Sequence, residues 1–109
     1  MKTYLIIGGT SGIGLEATKL IGQNNRVIVL NRVKRNLDGL SNVEFHSADV
    51  TKSADELPQI SETINGLVYC PGTINLKPLK SLKLEDFQND FEVNLLGAGK
   101  VINKYLDNL

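Results

Sequence analysis

Three glycines at positions 8, 12 and 14 have the spacing of a phosphate-binding turn. The apolar run 4–7 precedes them, and a segment with helical spacing of apolar residues begins at Leu15. At a helix N-terminus the backbone N–H groups point at a ligand, and the helix dipole favours its negative charge. Glycine is needed where the chain takes a positive φ or where a pyrophosphate approaches the backbone. The pattern therefore predicts a dinucleotide-binding turn formed by Gly8, Thr10, Ser11, Gly12, Ile13 and Gly14.

A polar pair, Asn31 and Arg32, follows the second apolar run of the chain. A carboxylate at this place would accept hydrogen bonds from the ribose 2′-hydroxyl and repel a 2′-phosphate. A guanidinium instead offers bidentate, charge-assisted hydrogen bonds to a phosphate. Asn31 and Arg32, with Arg35 nearby, therefore favour NADP(H) over NAD(H). The alternative is that Arg32 is a solvated loop arginine.

Short apolar runs that alternate with polar segments must position these residues, a pattern typical of βαβ units around a parallel sheet. Strands buried on both faces lose the apolar–polar alternation, as these do. We expect strands at 3–7, 26–30, 42–47 and 66–70, and helices at 12–24 and 84–108. The segment 34–40 is a polar connection or a short helix, and Pro58 interrupts the segment before the fourth strand. Right-handed crossovers then give an α/β, Rossmann-type doubly wound sheet with strand order 3-2-1-4.

The predicted C-terminal helix combines an apolar stripe with a glycine-rich turn. A glycine inside a helix is unfavourable by about 1 kcal/mol relative to alanine, so Gly97 and Gly99 indicate a close approach or a distorted turn. Nothing in the predicted elements covers the outer side of the fourth strand, and such an open edge is prone to pairing. We therefore expect a truncated sheet, the first half of a larger domain. The stripe consists of Phe87, Phe91, Leu95, Ala98, Ile102 and Leu106.

Composition and charge argue against several classes of protein. The 12 basic and 12 acidic residues cancel and form no long run of one sign, which disfavours a nucleic acid or an anionic membrane as partner. No apolar stretch approaches the roughly 20 residues of a membrane span. The single cysteine permits no internal disulfide and fits a reducing compartment, so we expect a cytoplasmic protein. His46 has no second ligand for a metal, and we expect no metal site.

The spacing Gly8-x-x-x-Gly12-x-Gly14 directly after the first strand resembles the cofactor turn of the short-chain dehydrogenase/reductase family. A competing interpretation starts at Gly12 and matches the general G-x-G-x-x-A fingerprint of dinucleotide-binding turns. That fingerprint opens directly after a strand, whereas Gly12 lies five residues beyond Ile7, so the first spacing fits better. The extended branch of the family would need a glycine where Leu15 stands.

Three further segments carry the resemblance, each at its expected place along the chain. Asp49 and Val50 resemble the family's acidic–aliphatic pair beside the adenine, although a turn or helix-cap role is equally open for Asp49. The residues that end the fourth strand stand in place of the family's Asn-Asn-Ala-Gly and keep only its glycine, so Cys70 and Gly72 are expected to border the cofactor. Asn94 resembles the asparagine that sits at a helix distortion and supports a water-linked proton relay to the catalytic lysine. A solvated or helix-satisfied asparagine is the alternative.

The resemblance implies an NADP(H)-dependent oxidoreductase that interconverts a small-molecule carbonyl and its alcohol. The family's acid–base group is a tyrosine, a lysine four residues later and a serine, since the lysine charge favours tyrosinate. Here Gly8, Thr73 and Leu109 stand four residues after the three tyrosines, so the pair is absent. We expect residues 1–109 to be a cofactor-binding half, inactive alone, and a homo-oligomer, because family members often dimerise through the long C-terminal helix. The alternative is a non-catalytic NADP-binding or oligomerising protein.

Overall fold

The computed structural model describes all 109 residues, which form a parallel sheet and two helical regions. The strands are β1 (Thr3–Ile7), β2 (Arg26–Asn31), β3 (Val43–Ser47) and β4 (Gly66–Tyr69). Helix α1 (Gly12–Ile21) connects β1 to β2, and after β4 come α2 (Leu84–Phe91), a π-helical segment (Glu92–Leu96) and α3 (Gly97–Tyr105). Short 3₁₀ turns lie at Ala54–Glu56, Leu79–Ser81 and Leu106–Asn108. The order β3-β2-β1-β4, with all pairs parallel, confirms the predicted doubly wound topology.

The two central strands carry the core because both of their faces are buried. Residues 5–7 in β1 and 27–30 in β2 are each at most 2% exposed. One face packs against Val101 and Tyr105 of α3, and the other packs against α1 and Leu37. Fully burying one such aliphatic side chain contributes roughly 1.5–3 kcal/mol. The apolar runs therefore determine which segments become the centre of the sheet.

Parallel pairing brings the carboxyl ends of the strands to one edge of the sheet. Ile7 in β1 lies opposite Leu30 in β2 and Tyr69 in β4. Asn31 in β2 lies opposite Ser47 in β3. The loops that carry the candidate site residues therefore all leave the sheet on the same side.

The structure corrects some predicted boundaries. Helix α1 ends at Ile21 rather than at residue 24, because Gly22 caps it and turns follow. The strand bounds differ from the prediction by one residue at most. The segment 34–40 contains turns and no helix, and the chain between β3 and β4 forms only a 3₁₀ turn. Leu57 is extended, as a residue before proline favours, so that turn does not continue into a helix.

The apolar stripe of the C-terminal helix lies on its exposed side. The stripe residues Phe87, Phe91, Leu95, Ile102 and Leu106 are each between 47% and 59% exposed. The buried face of α3 consists instead of Gly97, Val101 and Tyr105, one on each turn. Tyr105 Oη also donates a hydrogen bond to the Pro58 carbonyl at 2.7 Å, and burial raises the pKa of Tyr105 to about 12. No helix has both the length and the apolar character needed to cross a membrane.

Candidate cofactor-binding cleft

A cleft of about 620 Å³ opens at the carboxyl edge of the sheet, among the loops that follow the four strands. It lies where the strand order reverses, between β1 and β4, which is where open α/β sheets bind ligands. Every residue predicted to bind the cofactor lines it, except Thr10. These lining residues are Gly8, Ser11, Gly12, Ile13, Gly14, Asn31, Arg32, Asp49, Val50, Cys70 and Gly72. Asn94 does not line the cleft itself, but it forms a hydrogen bond with Thr73, which does.

The glycine turn has a backbone that requires glycine for two different reasons. Gly8 and Gly12 have φ values of 80° and 55°, in the left-handed region. At Gly14 the reason is space, since a Cβ there would collide with the carbonyl oxygen of Gly8 and lie 3.3 Å from Cys70 Cβ. The first turn of α1 therefore packs directly against the end of β1. This close packing forms the kind of cradle that a pyrophosphate occupies.

The N-terminus of α1 is open to an anion. Ser11 is the N-cap residue, but its side chain makes no capping hydrogen bond. The first N–H groups of an α-helix have no partner within the helix, so here they remain available to a phosphate. Thr18 Oγ1 lies 3.2 Å from the Gly9 carbonyl oxygen and 2.8 Å from that of Gly14, and its hydroxyl holds the turn from beneath. The donors present therefore fit the diphosphate of a dinucleotide.

Thr10 lies behind the turn rather than in the cleft. Its side chain is fully buried, and its Oγ1 has no hydrogen-bond partner. Its carbonyl oxygen accepts a hydrogen bond from Asn36 Nδ2 at 3.0 Å, which joins the turn to the loop after β2. Thr10 thus packs the turn in place, and a direct contact with the cofactor stays a prediction.

The loop after β2 brings two guanidinium groups to the cleft. Arg32 and Arg35 both line it, and neither forms an ion pair within the chain. Asn31 Nδ2 donates to the Val33 carbonyl at 3.0 Å, and Ser47 Oγ donates to the Arg32 carbonyl at 3.1 Å. These bonds hold the backbone of the loop while both guanidiniums stay free. In the sequence Arg35 counts towards NADP(H) because it stands near Arg32, and the structure places it in the cleft lining as well.

Asp49 has the turn role that its sequence position left open, and its place beside the adenine stays a prediction. Its Oδ1 accepts hydrogen bonds from the Thr51 hydroxyl at 2.7 Å and from the Thr51 backbone N–H at 2.9 Å. These bonds lower the pKa of Asp49, and the charge of Arg32 adds to the effect. Asp49 therefore stabilises the turn after β3. Together with Val50 it also lines the cleft.

Asn94 holds the loop that follows β4. Its Oδ1 accepts a hydrogen bond from the Thr73 N–H, and its Nδ2 donates to the Thr73 carbonyl, both at 2.9 Å. Both ends of the amide are therefore used, which differs from a merely solvated side chain. Asp90 Oδ1 accepts from Thr73 Oγ1 at 2.5 Å and from Asn75 Nδ2 at 3.1 Å. No sequence motif marked Asp90 or Asn75, and the relay role of Asn94 stays a prediction.

The distortion expected in the long helix is the π-helical segment, with the asparagine at its centre. The Gly97 N–H donates to the carbonyl of Glu92, five residues back. Tyr69 Oη donates to the Val93 carbonyl at 2.5 Å, and a Cβ on Gly97 would collide with this hydroxyl. Gly97 thus accounts for the close approach that the glycine-rich turn predicts. Tyr69 ties the end of β4 to the distorted turn.

Cys70 and His46 take no chemical part in this arrangement. Burial raises the pKa of the Cys70 thiol, which favours the neutral thiol over the nucleophilic thiolate. His46 Nε2 lies 2.9 Å from a carboxylate oxygen of Glu44, away from the cleft. No group of three or more His, Cys, Asp or Glu side chains is placed to hold a metal ion. The cleft therefore offers backbone donors, two guanidiniums and apolar walls.

Comparison with known proteins agrees with this fold and cleft. Residues 2–109 match the family model described as short chain dehydrogenase. The 3-hydroxyacyl-CoA dehydrogenase type-2 of Bos taurus is 33% identical in an alignment of 118 positions that covers 90% of this chain and 44% of the relative. The chain thus spans less than half the length of the curated relatives it matches.

Two solved structures share the fold and hold different cofactors. The alcohol dehydrogenase from the archaeon Thermococcus sibiricus, complexed with 5-hydroxy-NADP, has a TM-score of 0.84 and 27% identity, over 100% of this chain and 53% of that one. The short chain dehydrogenase from Leptospira borgpetersenii with bound NAD+ has a TM-score of 0.78 and 26% identity, over 97% of this chain and 45% of that one. Because the family match extends over residues 2–109, this chain belongs to the short-chain dehydrogenase family of nicotinamide-dependent oxidoreductases.

Proposed function

We propose that this chain is the cofactor-binding half of an NADP(H)-dependent oxidoreductase that interconverts a small-molecule carbonyl compound and its alcohol. The observation that carries the choice of NADP(H) is that the guanidinium groups of Arg32 and Arg35 line the cleft and form no ion pair with an acidic side chain. A free guanidinium forms bidentate bonds to a 2′-phosphate, and Asn31 at the end of β2 adds no negative charge to repel it. We place this activity in the cytoplasm, because the single cysteine is free.

Each part of the cleft has its own task in this proposal. The glycine turn and the N-terminus of α1 bind the pyrophosphate through backbone N–H groups and the helix dipole. Asp49 and Val50 border the adenine, and the two arginines bind the 2′-phosphate. Asn94 holds Thr73 beside Gly72, so the backbone that leaves β4 borders the cofactor in one position. When bound, NADP(H) supplies or accepts the hydride.

Proton transfer to the substrate oxygen requires groups outside residues 1–109. No tyrosine here is followed four residues later by a lysine. The hydroxyls of Tyr69 and Tyr105 donate to backbone carbonyls, and burial raises the pKa of both. A tyrosine that acts as a base needs a lowered pKa, so neither is suited to that role.

We therefore propose that Asn94 is the only member of the catalytic group in this chain and that the chain alone has no turnover. The measurement is NADPH oxidation by the purified chain with a panel of aldehydes and ketones, followed by absorbance. We expect a rate equal to that of the buffer control. Substrate-dependent oxidation by these residues alone would contradict the proposal.

A fluorescence titration with NADPH and NADH tests the choice of cofactor. Losing a hydrogen bond to a charged group costs about 1.5–3 kcal/mol, so Arg32→Asp should weaken NADPH binding at least about tenfold. The affinity for NADH should stay the same or increase. Lys34→Asp is the matched control, because it makes the same charge change in the same loop at a residue outside the cleft lining. Equal NADPH affinity before and after Arg32→Asp would refute the choice of NADP(H).

We also propose that the exposed apolar stripe of the C-terminal helix packs on a second copy of this chain. The helix is acidic near its start, at Glu85 and Glu92, and basic near its end, at Lys100 and Lys104. Two such helices packed antiparallel about a two-fold axis would bring the acidic half of one against the basic half of the other. This charge pattern favours a second copy over an unrelated partner.

Size-exclusion chromatography with light scattering tests the assembly. We expect a dimer for the natural sequence and a monomer for Phe91→Glu, which places a charge in the stripe. Gln23→Glu is the control, since it adds the same charge at an exposed residue after α1. A monomeric natural chain at high concentration would contradict the proposal. A dimer that binds no NADPH would favour the alternative, an oligomerising protein without cofactor chemistry.

A further inference from the structure

Asn36 attaches the loop that carries the two arginines directly to the glycine turn. Its Nδ2 donates a hydrogen bond to the Thr10 carbonyl oxygen at 3.0 Å, between residues 26 positions apart. No other side-chain hydrogen bond joins these two segments. The bond therefore connects the part of the cleft suited to a pyrophosphate with the part suited to a 2′-phosphate.

The backbone of Asn36 is adapted to this contact. Its φ of 62° makes it the only residue other than glycine in the left-handed region. Asparagine tolerates that region better than most residues with a Cβ. The chain reverses here, since Arg35 lines the cleft whereas Leu37 is only 6% exposed and packs in the core. This reversal places the end of the loop that carries the arginines between Leu37, which packs in the core, and the hydrogen bond from Asn36 to the glycine turn.

The acceptor of this bond is held rigidly. Thr10 is fully buried, and the Thr18 hydroxyl braces the turn around it. The bond therefore ties the exposed loop to the buried turn. The Ser47 hydroxyl fixes the start of the same loop through the Arg32 carbonyl. Both guanidiniums thus extend from a backbone that is tied at each end.

We propose that Asn36 is a specificity-determining residue of the cofactor site, because it sets the distance between the pyrophosphate-binding turn and the 2′-phosphate-binding arginines. The inference rests on the proposed NADP(H) function. Asn36 itself does not line the cleft, so it acts through Arg32 and Arg35 as a positioning residue. NADPH gains from the fixed spacing because it has both phosphate groups. NADH lacks the 2′-phosphate and gains nothing from it.

Asn36→Gly tests this role, because glycine keeps the left-handed backbone accessible and removes only the side-chain amide. The loss of one net hydrogen bond corresponds to a rise of about three- to tenfold in the Kd for NADPH. The Kd for NADH should stay unchanged. Asn36→Asp keeps the side-chain shape, lacks the donor and should also lower the preference for NADPH. Asn24→Gly is the matched control, an asparagine in an exposed turn whose side chain makes no hydrogen bond.

Fluorescence titrations with both nucleotides and the Tm of each variant separate the outcomes. A selective loss of NADPH affinity at an unchanged Tm supports the role of Asn36. Equal losses for NADPH and NADH, or no loss for either, overturn it and leave the NADP(H) proposal standing if the natural chain prefers NADPH. A natural chain without that preference overturns the proposed cofactor and the role of Asn36 together.

Discussion

Gly97 and Gly99 lie two residues apart in α3 and have opposite surroundings. A Cβ on Gly97 would collide with Tyr69 Oη and lie 3.0 Å from Val50 Cγ2, whereas a Cβ on Gly99 would meet nothing within 4 Å. Alanine in place of either glycine gains about the same helix propensity, about 1 kcal/mol. Gly97→Ala and Gly99→Ala are therefore a matched pair in which packing alone decides the difference.

The expected changes in the free energy of unfolding have opposite signs. Gly99→Ala should raise it by roughly 0.5–1 kcal/mol, because nothing opposes the gain in propensity. At Gly97 overpacking costs about 1–3 kcal/mol, and displacing the Tyr69 hydroxyl from the Val93 carbonyl costs about 0.5–1.5 kcal/mol. After the gain in propensity, Gly97→Ala should destabilise the chain by roughly 0.5–3.5 kcal/mol.

Tyr69→Phe isolates the collision, because phenylalanine lacks the hydroxyl that an alanine at position 97 would strike. Val50 stays at the same distance in both backgrounds. Gly97→Ala should therefore lower the free energy of unfolding less in the Tyr69→Phe background than in the natural chain. We expect a coupling free energy of about 0.5–2 kcal/mol from the double-mutant cycle.

Urea denaturation followed by far-UV circular dichroism measures all of these variants on the full chain, with the slope m checked for constancy. Two results would refute the reasoning. One is a Gly97→Ala variant as stable as Gly99→Ala. The other is a Gly97→Ala cost that is the same with and without the Tyr69 hydroxyl.

Two further predictions concern the turn and the core. Gly14→Ala places a Cβ against the Gly8 carbonyl oxygen, so NADPH affinity measured by fluorescence should fall at least about tenfold, while Gly99→Ala should leave it unchanged. Tyr105→Phe removes the hydrogen bond to the Pro58 carbonyl and should lower the free energy of unfolding by about 1–2 kcal/mol in urea titrations. The pKa of Tyr105 is raised to about 12 in the folded chain, against about 10 when unfolded, so the unfolded state loses the proton first. The contribution of Tyr105 to the free energy of unfolding is therefore complete below pH of about 10 and falls as the pH rises towards about 12. The free energy of unfolding of Tyr105→Phe should decrease less at alkaline pH than that of the natural chain. An equal alkaline loss in both proteins would contradict this assignment.

The sheet and the glycine turn were predictable because the forces that form them act within short segments. The run 27–30 is apolar at every position, as in a strand buried on both faces. The turn needs glycine at Gly8 and Gly12 for backbone conformation and at Gly14 for space. Each requirement is satisfied by residue type alone, and right-handed crossovers in a Rossmann-type sheet then give the order 3-2-1-4.

The features that sequence did not predict depend on contacts between distant segments. Periodicity identified an apolar stripe on the C-terminal helix, but it could not show which face approaches the sheet. The helix packs against the sheet through the face that carries Gly97, because only a glycine there leaves room for Tyr69 and Val50. The apolar stripe lies on another face and is left exposed. The Asp90 carboxylate likewise gains its place through Thr73 and Asn75, seventeen and fifteen residues earlier in the chain.

The end of β4 departs from the family pattern, and the structure shows how the departure is accommodated. Tyr69 stands where the resemblance expects an asparagine, and its longer side chain reaches the Val93 carbonyl. The next residue, Asn94, binds both backbone groups of Thr73. Two consecutive residues of the π-helical segment therefore hold both ends of the short stretch that contains Cys70 and borders the cleft. In a π-helix the hydrogen bonds run five residues back, which shifts the direction of the carbonyls from that of a regular turn. The distortion, the tyrosine and the glycine opposite its hydroxyl thus form one unit, in which the Tyr69 hydroxyl leaves room for nothing larger than glycine at position 97.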